Sequence, residues 1–277
     1  MKTLLATAGL LLAMFAPVAC AQEPADEGLT EALHTVSLSG GSTLNVLISR
    51  RSGSAPDIAV LLFAGYPGVL RLREEGGTVV FDLAGNFLLR ARRHLNSDRV
   101  HTVVVDCPAE RLSDCGDTYR SSAQHASDIS DVVTWLREKQ GAKQVYVAGT
   151  SYGTVSTSFL ARGLHGRIDG AIHTATFTDP RAGRNSHGTP MAAFDWSLAK
   201  VPQLFVHHRN DPCDLTRYSS VVSRRAALPL ITVEGVSNPR GKACLALTEH
   251  GFVGRERPVM LAIHAWIVDR TVAAVID

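Results

Sequence analysis

The alternation of apolar and polar positions divides the chain into three kinds of stretch. The first is Leu4 to Val18, an apolar run without a charge, preceded by Lys2 and followed by Ala19-Cys20-Ala21 and the polar Gln22-Glu23-Pro24. A positive start, an apolar centre and a small-residue cleavage site make up a secretory signal peptide. The run is shorter than the roughly 20 residues a spanning helix needs. The expectation is a signal peptide over residues 1–21, a mobile leader over 22–30 and one domain over 31–277. Membrane attachment would require a lipid on Cys20, and Pro17 stands where such sites usually carry leucine.

The second kind is short and strand-like. His34–Leu38 and Thr43–Ile48 flank Ser39-Gly40-Gly41-Ser42, a hairpin signal. Ile58–Phe63 is continuously apolar, as expected of a strand buried on both faces of a parallel sheet. Val100–Val105, Gln144–Ala148, Ile168–Thr174, Gln203–His207 and Pro229–Val233 supply further strands.

The third kind is helical. Val79–Leu95 places Phe87, Leu88, Ala91 and Leu95 on one face. Ser121–Gln140 does the same with Ile129, Val132, Val133 and Leu136, and Gly141 ends it. Tyr152–Leu164, Asp214–Ala227 and Glu256–Val272 complete the set. A hairpin leading into alternating strands and helices predicts an α/β fold, with a mostly parallel central sheet flanked by helices and right-handed crossovers. Ligands in such sheets bind beyond the carboxyl ends of the strands, so functional residues should follow strands closely. Ala175 to Pro202 leaves room for a loop or short helix but no large lid domain.

Composition narrows the picture. With 45% hydrophobic and 19% charged residues, the chain can bury a substantial core. A net charge of +2, with basic clusters no longer than Arg71–Arg73 and Arg90–Arg93, gives no face for nucleic acid. Removal of Cys20 with the signal peptide leaves Cys107, Cys115, Cys213 and Cys244. Four cysteines in an oxidising compartment suggest two disulfides, with three connectivities open. None forms the C-x-x-C spacing of a zinc site.

The candidate chemistry begins at Gly149-Thr150-Ser151-Tyr152-Gly153, a G-x-S-x-G motif between a strand and a helix of small residues. A serine on so sharp a turn projects above the sheet, where the helix N-terminus favours developing negative charge. A serine nucleophile needs a base, and the base needs an orienting acid. Of eleven histidines, only His250 and His264 follow the last strand, and His264 falls inside the terminal helix. His250 is therefore the candidate base. Asp211 follows the strand before the last and is the candidate acid. Its rivals are Asp214, expected to cap its helix, and Asp179, after the preceding strand. His207 and His208 are expected to be structural. Two backbone N–H donors should receive an oxyanion: Tyr152 after the nucleophile, and Tyr66, with Gly65 close behind, in the loop Ala64-Gly65-Tyr66-Pro67-Gly68.

With these residues in order the chain resembles the α/β-hydrolase superfamily over nearly its whole mature length. Phe63-Ala64 departs from the His-Gly form usual before the oxyanion loop. Val206 to Cys213, with Cys244 and His250-Gly251-Phe252, also resembles a group of exported bacterial hydrolases without an assigned substrate. The resemblance implies acyl transfer from a small-molecule ester to water through Ser151, His250 and Asp211, without metal or organic cofactor. In that fold all four cysteines lie on the catalytic side. Pairing Cys213 with Cys244 would tie the acid loop to the histidine loop, and Cys107 with Cys115 would close another. Phe177, Met191, Phe194 and Trp196 are candidates for an acyl pocket or for core. A serine peptidase and a binding protein with an idle triad are the alternatives.

Overall fold

A computed structural model of the protein describes residues 28–178 and 191–277. The expected signal peptide, residues 22–27 of the expected leader, and Asp179 lie outside the described residues.

β1 (Leu29–Ser37) and β2 (Thr43–Arg51) pair antiparallel across the Gly40-Gly41 turn. β1 begins at Leu29, inside the stretch expected as leader, because its pairing with β2 extends to Arg51. β3 (Ile58–Phe63) is buried along its full length, as a central strand of apolar residues requires.

The helix expected over Val79–Leu95 is replaced by three shorter pieces. Gly76 and Gly77, with φ of 59° and 78°, fold the chain into a hairpin of β4 (Arg73–Glu75) and β5 (Thr78–Val80). Val79 and Val80, β-branched, join that hairpin. Leu83 then takes a left-handed φ of 60°, which no helix tolerates. Only α1 (Phe87–Arg90) is helical, capped by the Asn86 side chain, and a 3-10 turn follows at Arg92–His94.

β6 (Val100–Pro108) leads to the short α2 (Asp117–Arg120) and to α3 (Ala123–Gln140). The Ser122 hydroxyl caps α3, and Gly141 ends it in the left-handed region at φ 74°. β7 (Gln144–Thr150), α4 (Gly153–Gly163), β8 (Gly170–Thr174) and β9 (Gln203–His208) follow.

α5 (Tyr218–Arg224) is shorter than expected. Residues 213–216 form a turn instead, closed by the Thr216 N–H on the Cys213 carbonyl at 3.0 Å. Arg217, not Asp214, occupies the cap position, and Asp214 accepts from the Arg217 guanidinium at 3.3 Å. β10 (Leu230–Val233) and α6 (Glu256–Asp269) complete the alternation. A two-residue strand, β11 (Val275–Ile276), pairs parallel with β10 and has no signal in the sequence pattern.

The main sheet has nine strands in the order β1-β2-β6-β3-β7-β8-β9-β10-β11. β1 and β2 run antiparallel to their neighbours, and the rest are parallel. α1 and α6 cover one face through Phe87, Leu88, Ile263 and Trp266. α3 and α4 cover the other through Ile129, Val133, Leu136 and Leu160. Each such side chain contributes about 1.5–3 kcal/mol when fully buried. Between β8 and β9 the described residues hold only a 3-10 turn at Trp196–Leu198. Among the described residues no helix is long and apolar enough to cross a membrane.

Candidate active site

Ser151 sits on the turn between β7 and α4 with φ at +53°, a conformation that costs an L-residue roughly 1–2 kcal/mol. Three hydrogen bonds hold it there. Its N–H donates to the Thr174 carbonyl at 2.9 Å, and its carbonyl accepts from the Thr154 N–H at 2.9 Å and hydroxyl at 2.6 Å. The flanking glycines are a matter of space. A Cβ on Gly149 would lie 2.7 Å from the Gly153 carbonyl carbon, and one on Gly153 would lie 2.7 Å from the Ala64 oxygen. Strand, turn and helix therefore meet too closely for any side chain at either position.

Asp211 and His250 come from different loops and meet. The Asp211 carboxylate stands 3.1 and 3.2 Å from His250 Nδ1. Both side chains are almost wholly buried. Nδ1–H donation to the carboxylate fixes the tautomer in which Nε2 carries the lone pair. Asp211 has two further donors, the Cys213 N–H to Oδ1 at 2.9 Å and the Thr216 hydroxyl to Oδ2 at 2.9 Å. His207 Nε2 lies between Oδ2, at 3.3 Å, and the Thr216 carbonyl, at 2.5 Å, and shares its proton between them. His207 is tautomerically set, since its Nδ1 accepts from the Thr176 N–H at 3.3 Å. Burial alone would raise the Asp211 carboxyl. Hydrogen bonds from His207 and His250, with the charge of those rings, outweigh it and hold the group well below the usual carboxylate range.

His250 lies in a 3-10 turn, Glu249–Gly251, whose start is capped by the Thr248 hydroxyl. Arg90, from α1, pins this turn by donating to the Gly251 carbonyl at 2.6 Å and to Glu256 at 2.9 Å. Phe252 packs on Phe87 with ring centroids 4.8 Å apart. The histidine loop is thus fastened to the layer of helices beneath it.

Ser151, His250, Gly65, Tyr66 and Tyr152 all line one cavity of about 680 Å³. Gly65 lies against the Ser151 turn, where a Cβ would be 3.5 Å from Ser151 Cβ. The Tyr66 ring is exposed and meets the Tyr152 ring edge-on at 5.6 Å. Leu83, Phe87, Phe177, Leu215 and Leu245 give the cavity apolar walls. Of the four residues considered for an acyl pocket only Phe177 lines it. Met191, Phe194 and Trp196 pack behind it, in a buried cluster that also holds Tyr152, Phe177, Phe205 and Val221.

The cysteines are joined as Cys107–Cys115 and Cys213–Cys244, with Cα separations of 6.2 and 4.6 Å. Cys213 and Cys244 also line the cavity. His208 is structural, its Nε2 3.0 Å from the Gly235 carbonyl, and His264 stands 2.9 Å from the Ser97 hydroxyl, away from the cavity. Sequence reasoning missed Thr216 and the reach of His207 to Asp211. Thr216 follows Asp211 by five positions in an irregular turn, a spacing with no periodic signal.

No family model and no curated protein matches the chain by sequence. Solved structures match it in fold. A serine hydrolase without a lid from Xanthomonas campestris superimposes with a TM-score of 0.55 at 16% identity, covering 87% of this chain and 94% of that one. Est1E from Butyrivibrio proteoclasticus gives 0.60 at 15% identity, covering 86% and 98%. The chain has the α/β-hydrolase fold. Dipeptidyl peptidase 4 of Porphyromonas gingivalis shares that fold over 84% of this chain and 35% of its own, at 13% identity and a TM-score of 0.52.

Proposed function

We propose that this α/β-hydrolase-fold protein is an exported serine hydrolase that cleaves carboxylic esters of small molecules. The observation that carries the reading is the Asp211–His250 pair, at 3.1 Å, whose histidine lines the same cavity as the strained Ser151. In this mechanism His250 Nε2 takes the Ser151 proton as the hydroxyl oxygen attacks the ester carbonyl. Asp211 holds the resulting imidazolium. The N–H groups of Tyr152 and Tyr66 receive the oxyanion. His250 then returns the proton to the leaving alcohol, and water releases the acyl group by the same steps in reverse order. The chemistry requires no metal or organic cofactor.

Two observations support the finer parts. The apolar walls of the cavity suit a small ester, and the 28 residues between β8 and β9 leave no room for a large lid domain. The signal-peptide pattern over residues 1–21 and the two disulfides suit an oxidising compartment outside the cytoplasm. The likeness to dipeptidyl peptidase 4 favours a second reading, peptide-bond cleavage by the same triad.

The test is a panel of chromogenic esters of varied acyl length beside peptide amides, with fluorophosphonate labelling in parallel. Ester turnover and labelling, both lost in Ser151→Ala, are the expected result. Faster turnover of the amides overturns the ester reading in favour of the peptidase. Folded, oxidised protein that neither labels nor turns over supports the idle-triad alternative.

A further inference from the structure

Arg120, at the end of α2, is 3% exposed, and none of its hydrogen-bond partners is charged. Nε donates to the Cys115 carbonyl at 2.8 Å, Nη1 to the Ser156 hydroxyl at 2.9 Å and Nη2 to the Gly68 carbonyl at 3.2 Å. The guanidinium also lies 5.5 Å from the centre of the Tyr152 ring. Three segments converge on it: the loop that carries Gly65 and Tyr66, the first turn of α4 behind Ser151 and Tyr152, and the loop closed by Cys107–Cys115.

A second observation shows that this convergence is built into the chain. Gly68 has φ +74°, and a Cβ there would lie on Arg120 Nη2 and 2.9 Å from Cζ. The loop gives up a side chain at the place the guanidinium occupies. Burying a cation without a hydrogen-bonded carboxylate is costly, and arginine does not escape by losing its proton.

We propose that Arg120 is a positioning residue for the oxyanion hole. It sets the Tyr66 and Tyr152 backbone donors at a fixed separation and adds a buried positive charge behind them. This deepens the ester-hydrolase reading and rests on it. The two donors come from different segments, one after β3 and one after β7, with no covalent link between them. Arg120 bridges the segments directly, by hydrogen bond to Gly68 on one side and to Ser156 and the Tyr152 ring on the other. Preorganised donors in a site of low dielectric stabilise negative charge that develops only in the transition state, so the effect belongs in kcat rather than KM. Asp117, one turn earlier and on the cavity wall, is the anion that faces this charge.

The test compares wild type with Arg120→Met, Arg120→Lys and Ser156→Ala. Each is assayed for ester turnover and for binding of a trifluoromethyl ketone, which forms an oxyanion on the nucleophile, against the matching amide, which does not. Arg120→Met should lower kcat roughly 10- to 100-fold and change KM less than about threefold. It should lose trifluoromethyl ketone affinity by the same factor and amide affinity hardly at all. Arg120→Lys should recover part of the loss by restoring charge without the three-way geometry, and Ser156→Ala should show a smaller loss of the same kind. Ser156→Ala keeps the test open if Arg120→Met does not fold. Equal losses for both ligands, or wild-type kcat in Arg120→Met, overturn the proposal. Wild type that binds the ketone without ester turnover fails the ester reading alone, and ketone binding still tests Arg120. Wild type that binds no ketone has no oxyanion site, and both readings fall.

Discussion

His207 Nε2 stands 3.3 Å from the same Asp211 oxygen that faces His250. Asp211 is held between two imidazoles, one from the strand just before it and one from a loop 39 residues later. The Thr216 hydroxyl closes the third side, donating to that oxygen at 2.9 Å while lying 3.1 Å from His250 Nδ1. With its proton spent on the carboxylate, Thr216 competes with nothing the histidine needs. Thr216→Val keeps the shape and removes one charge-assisted hydrogen bond. The expected cost is roughly 1.5–3 kcal/mol of unfolding free energy, with a fall of about tenfold in kcat from a less firmly held acid. Urea denaturation and ester kinetics on the same preparation check both; unchanged stability would mean that the hydroxyl is idle.

Asp211→Asn tests the proposed acid itself. The amide cannot accept the His250 proton with a full charge, so kcat should fall by roughly three to four orders of magnitude with the fold intact. Asp214→Asn should leave kcat near wild type, because Asp214 pairs with Arg217 at the surface.

The strain at Ser151 predicts opposite effects on function and stability. Ser151→Gly removes the proposed nucleophile and also relieves the left-handed φ of +53°. It should abolish fluorophosphonate labelling while raising unfolding free energy by about 1 kcal/mol. Ser151→Ala should abolish labelling without that gain. Thermal unfolding of the pair separates the two, and equal midpoints would show that the turn stores no strain.

The Cys213–Cys244 bond closes a segment of 31 residues beside Asp211 and His250. In the chain-entropy model such a loop is worth about 3–4 kcal/mol. The double variant Cys213→Ala/Cys244→Ala should lose about that much stability and, at temperatures where it stays folded, most of its kcat. Cys107→Ala/Cys115→Ala, closing a separation of 8, should lose less of both. Denaturation followed by kinetics below the transition distinguishes them.

Three buried histidines outside the cavity set the acid limit of stability. His101 is pushed down to about 4 by burial first and then by Arg50. His125 falls to about 3 through burial and Arg120, and His173 to about 4 through burial, against the hydrogen bond that its ring donates to the Gln203 side-chain oxygen. All three are neutral in the folded chain at pH values where the unfolded chain protonates them. Their contribution is complete above about pH 6.5 and is lost as pH falls toward the folded values, at up to ~1.4 kcal/mol per pH unit for each. Urea midpoints should therefore drop steeply between pH 6.5 and 4. His125 packs against Tyr119 and Phe63, and His125→Phe should flatten the slope by about one proton. A slope unchanged in that variant would assign the loss to other groups.

Most of the sheet was legible because its strands are buried on both faces and read as apolar runs. Ile58–Phe63 is the clearest case. The G-x-S-x-G turn was legible for a related reason: its glycines are demanded by backbone contact, a constraint that leaves a mark in the sequence. Val79–Leu95 misled because its apolar spacing suits a helix, whereas Gly76-Gly77 and the left-handed Leu83 decide the local path. Asp214 misled because a carboxylate near a helix start looks like a cap, whereas the turn at 213–216 moves the start to Tyr218. Arg120, His207 and Thr216 carried no local signal. Their partners are set by tertiary approach of segments far apart in the chain, and no spacing along the sequence records that.

The two-residue β11 has a meaning beyond its size. By lying against Thr232 and Val233 it takes up backbone groups at the end of β10 that would otherwise face outward. What remains at that border is too short to recruit a strand from another molecule. The sheet therefore ends in a blunt margin that offers no ready template for strand pairing there.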